Sequence, residues 1–171
     1  MNCLTIKSIN SELMHISGYA SVFNNVDDQG DVILNGAFGE DISSNAKNVK
    51  LLWQHNPVKP LGVISLLQED SYGLLMEAAI NLKTWQGQEA SELLKQGAVN
   101  SLSIGFHIKS AKRNSLGHRE ISALNLWEVS IVTFPANPKA QINYITKQDP
   151  KEYSQLHESL IYAIRRLQLI A

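Results

Sequence analysis

One cysteine, Cys3, is the whole complement of the chain. That excludes an internal disulfide and agrees with a reducing cytoplasm. No apolar run approaches the roughly 18 residues that a membrane-crossing helix needs, so no membrane partner is expected. The opening "MNCLTIKSINSE" lacks a basic stretch followed by an apolar one and does not read as a secretory leader. An excess of one charge is missing too. Lys and Arg number 15 against 16 Asp and Glu, for a formal net charge of -1, and no basic tract points to nucleic acid. No HExxH spacing and no second cysteine suggest a metal. Three histidines, His55, His107 and His118, could be weighed as a zinc set, and their spacing gives zinc no support. No metal and no cofactor are therefore expected. Repeats and low-complexity segments are absent as well.

What is present is globular: 171 residues, 44% hydrophobic and 18% charged, enough for one domain with a sizeable core. The first 145 residues read mostly as strands, at Leu4–Ile9, Met14–Phe23, Val49–Gln54, Leu61–Gln68, Gly73–Ile80, Val99–Lys109, His118–Ile121 and Leu124–Phe134. Turn chemistry in "NNVDDQGD", "HNPVKP", "EDSYG" and "RNSLG" separates several of them. Two helices interrupt the pattern. One is short, around Ala37–Ala46. The other is Gln86–Gln96, with Thr84 as its cap and Gly97 as its stop. The fold class is mainly β with helices (α+β), as a closed or nearly closed barrel of about seven strands.

The tail, residues 146–171, differs. Asp149, Pro150 and Glu152 form a capping-box-like start, and Tyr153, Leu156, Leu160, Ile164 and Leu167 follow at spacings of three and four. An amphipathic helix is expected there. It packs either on the barrel or on a second subunit.

Three stretches carry chemistry. In "NSLSIGFHI", Ser101, Ser103 and Gly105 alternate with Leu102, Ile104, Phe106 and Ile108. A strand face of two hydroxyls and a glycine suits a nucleophilic serine that needs room for substrate. Its plainer reading is a small-residue face against which another backbone packs. In "VKLLWQHNPVKPLG", His55 sits just past an apolar strand, before a proline-containing loop, well placed for a site although a lone histidine is more often a solvated or core-satisfied residue. In "LNLWEVSIVTFPANP", the eleven residues Leu124 to Phe134 hold one charge, Glu128. A carboxylate in so apolar a strand is costly unless it is paired. It is either an edge glutamate that reaches water or a group that orients a histidine.

Together these blocks resemble the prohead proteases, the capsid-maturation proteases of tailed bacteriophages, which share a fold with the herpesvirus assemblins. The resemblance lies in "GYASVFNNVDDQGDVILNGAF", "LLWQHNPVKPLG", "LLKQGAVNSLSIGF" and "LWEVSIVTFPANPKA", in order, over about residues 14–142. It implies a serine endopeptidase on a herpesvirus-protease-like barrel (residues 1–145), followed by a C-terminal helix (146–171). Ser103 would be the nucleophile, preferred over Ser101 because a small-residue–Gly step follows it. His55 would be the general base. Glu128 would be the third member, in place of the assemblins' second histidine, with Glu120 and Asp70 as fallbacks. The backbone N–H groups of Ala136 and Asn137, in the "FPANP" turn, are the expected oxyanion donors. The resemblance further implies cleavage of scaffold or of a capsid-protein propeptide, and of the chain itself. It implies a homodimer at work in the host cytoplasm, inside the assembling procapsid. The rival reading is a non-enzymatic capsid-assembly protein that keeps the protease fold.

Overall fold

The computed structural model describes residues 12–39 and 42–146. Its strands are β1 (Leu13–Val22), β2 (Asp31–Ile33), β3 (Lys50–Trp53), β4 (Asn56–Glu69), β5 (Gly73–Asn81), β6 (Ser101–Arg113), β7 (Arg119–Val132) and β8 (Ile142–Thr146). Helix α1 (Ile42–Asn45) lies between β2 and β3, and α2 (Trp85–Lys95) between β5 and β6. The strand expected at Leu4–Ile9 and the helix expected beyond Thr146 lie outside the described residues.

All eight strands join one sheet. Strand β7 carries β6 along one edge. Its other edge takes β2 near the start and β3 near the end, both parallel. The sheet continues through β4, β5, β1 and β8. It then curls until its ends meet: the Leu102 N–H donates to the Ala140 carbonyl at 2.9 Å and the Ile142 N–H to the Asn100 carbonyl at 2.8 Å. The result is the nearly closed barrel that the strand count implied. Its interior is one apolar cluster including Ile16, Leu51, Leu74, Leu102, Val129 and Ile131. Each such side chain contributes about 1.5–3 kcal/mol on burial.

Helix α2 starts and stops as expected. The Thr84 hydroxyl accepts from the Gly87 N–H at 3.0 Å, and Gly97 takes a positive φ of 71° just past the end. Elsewhere the strands differ from the reading of the sequence. After His55, "NPVKP" is not a loop but the start of β4. Leu52 pairs with Pro60 and Trp53 with Asn56, so Pro57, Val58 and Lys59 bulge out of the ladder. A bulge is where prolines lacking a donor are tolerated. The runs His118–Ile121 and Leu124–Phe134 fuse into β7, because bulges on β6 and β7 absorb the break between them. Phe134 falls beyond that strand and is 89% exposed.

Candidate active site

The site is built on the β6–β7 ladder. Antiparallel register sets Ser103 opposite Ser130 and Gly105 opposite Glu128. On its other edge β7 pairs with β3, which brings the strand's last residue, Trp53, alongside Ile131.

His55 follows in the two-residue turn between β3 and β4. Gln54 and His55 both take positive φ, 54° and 57°, the pattern of a type I′ hairpin. Neither is glycine, so the turn stores strain that the surroundings must hold. They do so from β7. The Gln54 N–H donates to the Ile131 carbonyl at 3.0 Å, its side-chain amide donates to the Thr133 hydroxyl at 2.8 Å, and the His55 N–H donates to the Ser130 hydroxyl at 3.0 Å.

The imidazole thereby meets Glu128. His55 Nδ1 lies 2.6 Å from Glu128 Oε1, while Oε2 accepts from the Ser130 hydroxyl at 2.6 Å. Glu128's side chain is only 14% exposed, so both oxygens need the partners they have. The carboxylate raises the His55 pKa, chiefly through this hydrogen bond, against a smaller opposing effect of burial. With Nδ1–H given to the carboxylate, Nε2 is left as an acceptor for another proton.

A cavity of about 160 Å³ opens beside these residues, lined by His55, Ser103, Ala136 and Asn137 among others. Ser101 does not line it; its hydroxyl turns to the Asn100 side chain at 3.2 Å. The turn that holds Ala136 and Asn137 is tied down on two sides. The Asn137 amide donates to the Val22 carbonyl at 3.0 Å, and the Ala136 carbonyl accepts from the Asp28 N–H at 2.9 Å. Among the described residues, no acceptor takes the N–H of Ala136 or Asn137.

The other sequence candidates are spent elsewhere. Glu120 meets Lys112 at 3.3 Å, and Asp70 accepts from the Tyr19 hydroxyl at 2.7 Å. His107 stacks on Trp127 with ring centroids 4.4 Å apart. No three His, Cys, Asp or Glu side chains among the described residues are grouped to hold a metal ion. Ser130 is the residue that sequence alone does not single out. It is fully buried and holds both the Glu128 carboxylate and the His55 backbone.

Known proteins resemble the chain in sequence and in fold. The chain is 32% identical to the prohead protease of Enterobacteria phage HK97 over 130 residues, 73% of this chain and 57% of that protein. It is 28% identical to the capsid polyprotein of Pseudomonas phage PAJU2 over 171 residues, 95% of this chain and 24% of that one. The chain thus spans little more than half of the first relative and a quarter of the second. Among solved structures, KSHV protease bound to a hexapeptide phosphonate inhibitor matches with a TM-score of 0.52, covering 76% of this chain and 64% of that one. At 13% identity this is a likeness of fold. Residues 3–155 match the sequence profile of the Caudovirus prohead serine protease family, and the chain belongs to that family.

Proposed function

We propose that this chain is a serine endopeptidase of procapsid maturation, with Ser103 as nucleophile, His55 as general base and Glu128 as the residue that orients the base. The observation that carries the reading is the 2.6 Å contact of His55 Nδ1 with a nearly buried Glu128, beside a cavity that His55 and Ser103 both line. Ser103 attacks a peptide carbonyl as His55 Nε2 takes its proton, and His55 then protonates the leaving amine. Glu128 keeps the ring in the tautomer that leaves Nε2 free and stabilises the imidazolium. The N–H groups of Ala136 and Asn137 bind the oxyanion. Their place in the same cavity, with no acceptor among the described residues, supports that role.

The substrates in this reading are the scaffold or the propeptide of the major capsid protein, and the chain itself. Membership of the prohead family supports them, as does the relative that is a capsid polyprotein. The work is done inside the assembling procapsid in the bacterial cytoplasm, by a homodimer. The apolar spacing of Tyr153, Leu156, Leu160, Ile164 and Leu167 supports a helical contact between copies. Co-expression with the neighbouring capsid gene tests the whole reading. Cleavage products that vanish with Ser103→Ala are expected. An unprocessed capsid protein assembling normally with either form would favour a structural protein that merely keeps the fold.

A further inference from the structure

We propose that the cavity beside Ser103 receives a basic side chain, lysine or arginine, on the residue whose carbonyl is attacked, with Asp27 and Ser21 as its polar end. This rests on the protease reading above.

Two independent features point to it. The first is Ser21. Along the β1–β5 ladder Tyr19 pairs with Leu75 and Ser21 with Leu74, so Ala20 is an extra, bulged residue. Tyr19 and Leu75 belong to the outer apolar cluster, while Leu74 belongs to the interior. The bulge therefore turns Ser21 inward, where it lines the cavity. Ser21 is 1% exposed, and its hydroxyl has no hydrogen-bond partner among the described residues. A buried hydroxyl without a partner is unusual enough to require one.

The second is Asp27. One of its carboxylate oxygens accepts from the N–H groups of Gln29 and Asp31, each at 2.8 Å. No Lys, Arg or His among the described residues forms an ion pair with it. Its neighbour Asp31 is in a different state. Arg119 spans both Asp31 oxygens, at 2.7 and 2.6 Å, and its fork is used up there. Burial raises the Asp27 pKa, the N–H bonds from Asp31 and Gln29 oppose that rise, and the charges of Asp31 and Asp28 add to it. Asp27 is thus the carboxylate in this cavity that no cation among the described residues bonds directly, the Arg119 guanidinium acting on it only through its charge.

Size and walls agree. A cavity near 150 Å³ holds a six-atom ring, so about 160 Å³ takes the five-atom lysine side chain. Ile33, Ile104 and Phe106 line the cavity and suit the apolar stem of a long basic residue. The ammonium then donates to Asp27 and Ser21 in charge-assisted bonds. A neutral side chain of the same shape leaves Asp27 without a directly bonded cation and the Ser21 hydroxyl without a partner, which disfavours it.

Two peptidyl diphenyl phosphonates that differ only in lysine against norleucine at the reacting residue test this. Wild-type protein should be labelled at Ser103 about tenfold faster or more by the lysine probe. Asp27→Asn keeps an oxygen for the Gln29 and Asp31 N–H groups and should collapse that ratio to within about twofold. Ser21→Ala, a small change on an apolar face, should lower it by a few fold. Labelling at Ser103 with no lysine preference, or a preference that survives Asp27→Asn, overturns the pocket while leaving the protease reading intact. Failure of both probes to label Ser103 overturns the protease reading and the pocket with it.

Discussion

Gly105 lies directly across the ladder from Glu128, and a methyl group at Gly105 would overlap Oε1 and approach Cγ to 2.9 Å. The small face of β6 is thus explained in part by its neighbour strand. The glycine leaves room for the carboxylate that holds His55. Gly105→Ala should therefore displace the Glu128 side chain, which can swing aside, rather than break the sheet. The expected outcome is a fall in cleavage rate of at least about a hundredfold, as wrong positioning of a catalytic group produces. The melting temperature should stay within a few degrees of wild type. A variant that melts far lower, with activity lost only in proportion, would put Gly105 in the fold instead.

Ser130→Ala removes one hydroxyl that makes two contacts. Glu128 loses a donor, and the His55 N–H loses its acceptor in a strained turn. Leaving one buried group unsatisfied costs about 1–3 kcal/mol of stability. The same variant should slow turnover, because the histidine's turn and its carboxylate are both loosened. Ser130→Thr keeps the hydroxyl and should recover part of the activity. Chemical denaturation and a peptide cleavage assay on both variants decide the point.

Much of the fold and site is legible in the sequence because alternation is a strong signal. The period-two pattern around Ser103 and the lone charge in the apolar run around Glu128 are enough to mark β6 and β7, the two strands of the site. What is illegible depends on contacts distant in sequence. Ser130 reads as one more small residue of an apolar strand, and its role emerges only when the β3–β4 turn brings His55 to it and to Glu128. The turn itself is disguised, since Gln54–His55 carries neither the Asn nor the Gly that marks positive φ, and the prolines after it suggest a loop. Strands β2 and β8, of three and five residues, are too short for a periodic signal. The role of Gly105 is half legible: the sequence shows a need for space but not that Glu128 fills it.

Ser103→Ala should abolish proteolysis and phosphonate labelling, a loss on the order of 10⁴–10⁶ in rate. Ser101→Ala should matter far less, since that hydroxyl turns to Asn100 and not to the cavity. Both variants should fold, each losing only one oxygen. Intact-mass analysis after incubation with the lysine phosphonate reads both at once. An adduct that persists in Ser103→Ala and disappears in Ser101→Ala would shift the nucleophile by one step along the strand face.

The pH profile gives the sharpest test of the His55–Glu128 pair. The bond to Glu128 raises the His55 pKa above its ordinary value near 6.5. The base must be neutral to take a proton from Ser103, so the acid limb of kcat/KM should lie above 6.5. Stability follows the opposite sense. A histidine whose folded pKa is raised binds its proton more tightly when folded, so its stabilising effect is complete below the unfolded pKa. That effect is lost as pH climbs through the higher folded value. Between those two values the protein should grow slightly less stable as it grows more active. The stability change is small, because His55 is nearly half exposed and solvent screens the pair. Glu128→Gln removes the carboxylate but keeps its shape. It should lower the acid limb towards the ordinary histidine value and erase the opposing stability slope. Because the amide can present an N–H to Nδ1 and fix the wrong tautomer, turnover should also fall by about 10⁴. Rate and melting temperature measured from pH 5 to 9 on both proteins distinguish the cases. A variant with near-normal turnover and an unmoved acid limb would leave Glu128 a structural carboxylate, and Ser103 and His55 would then act as a dyad.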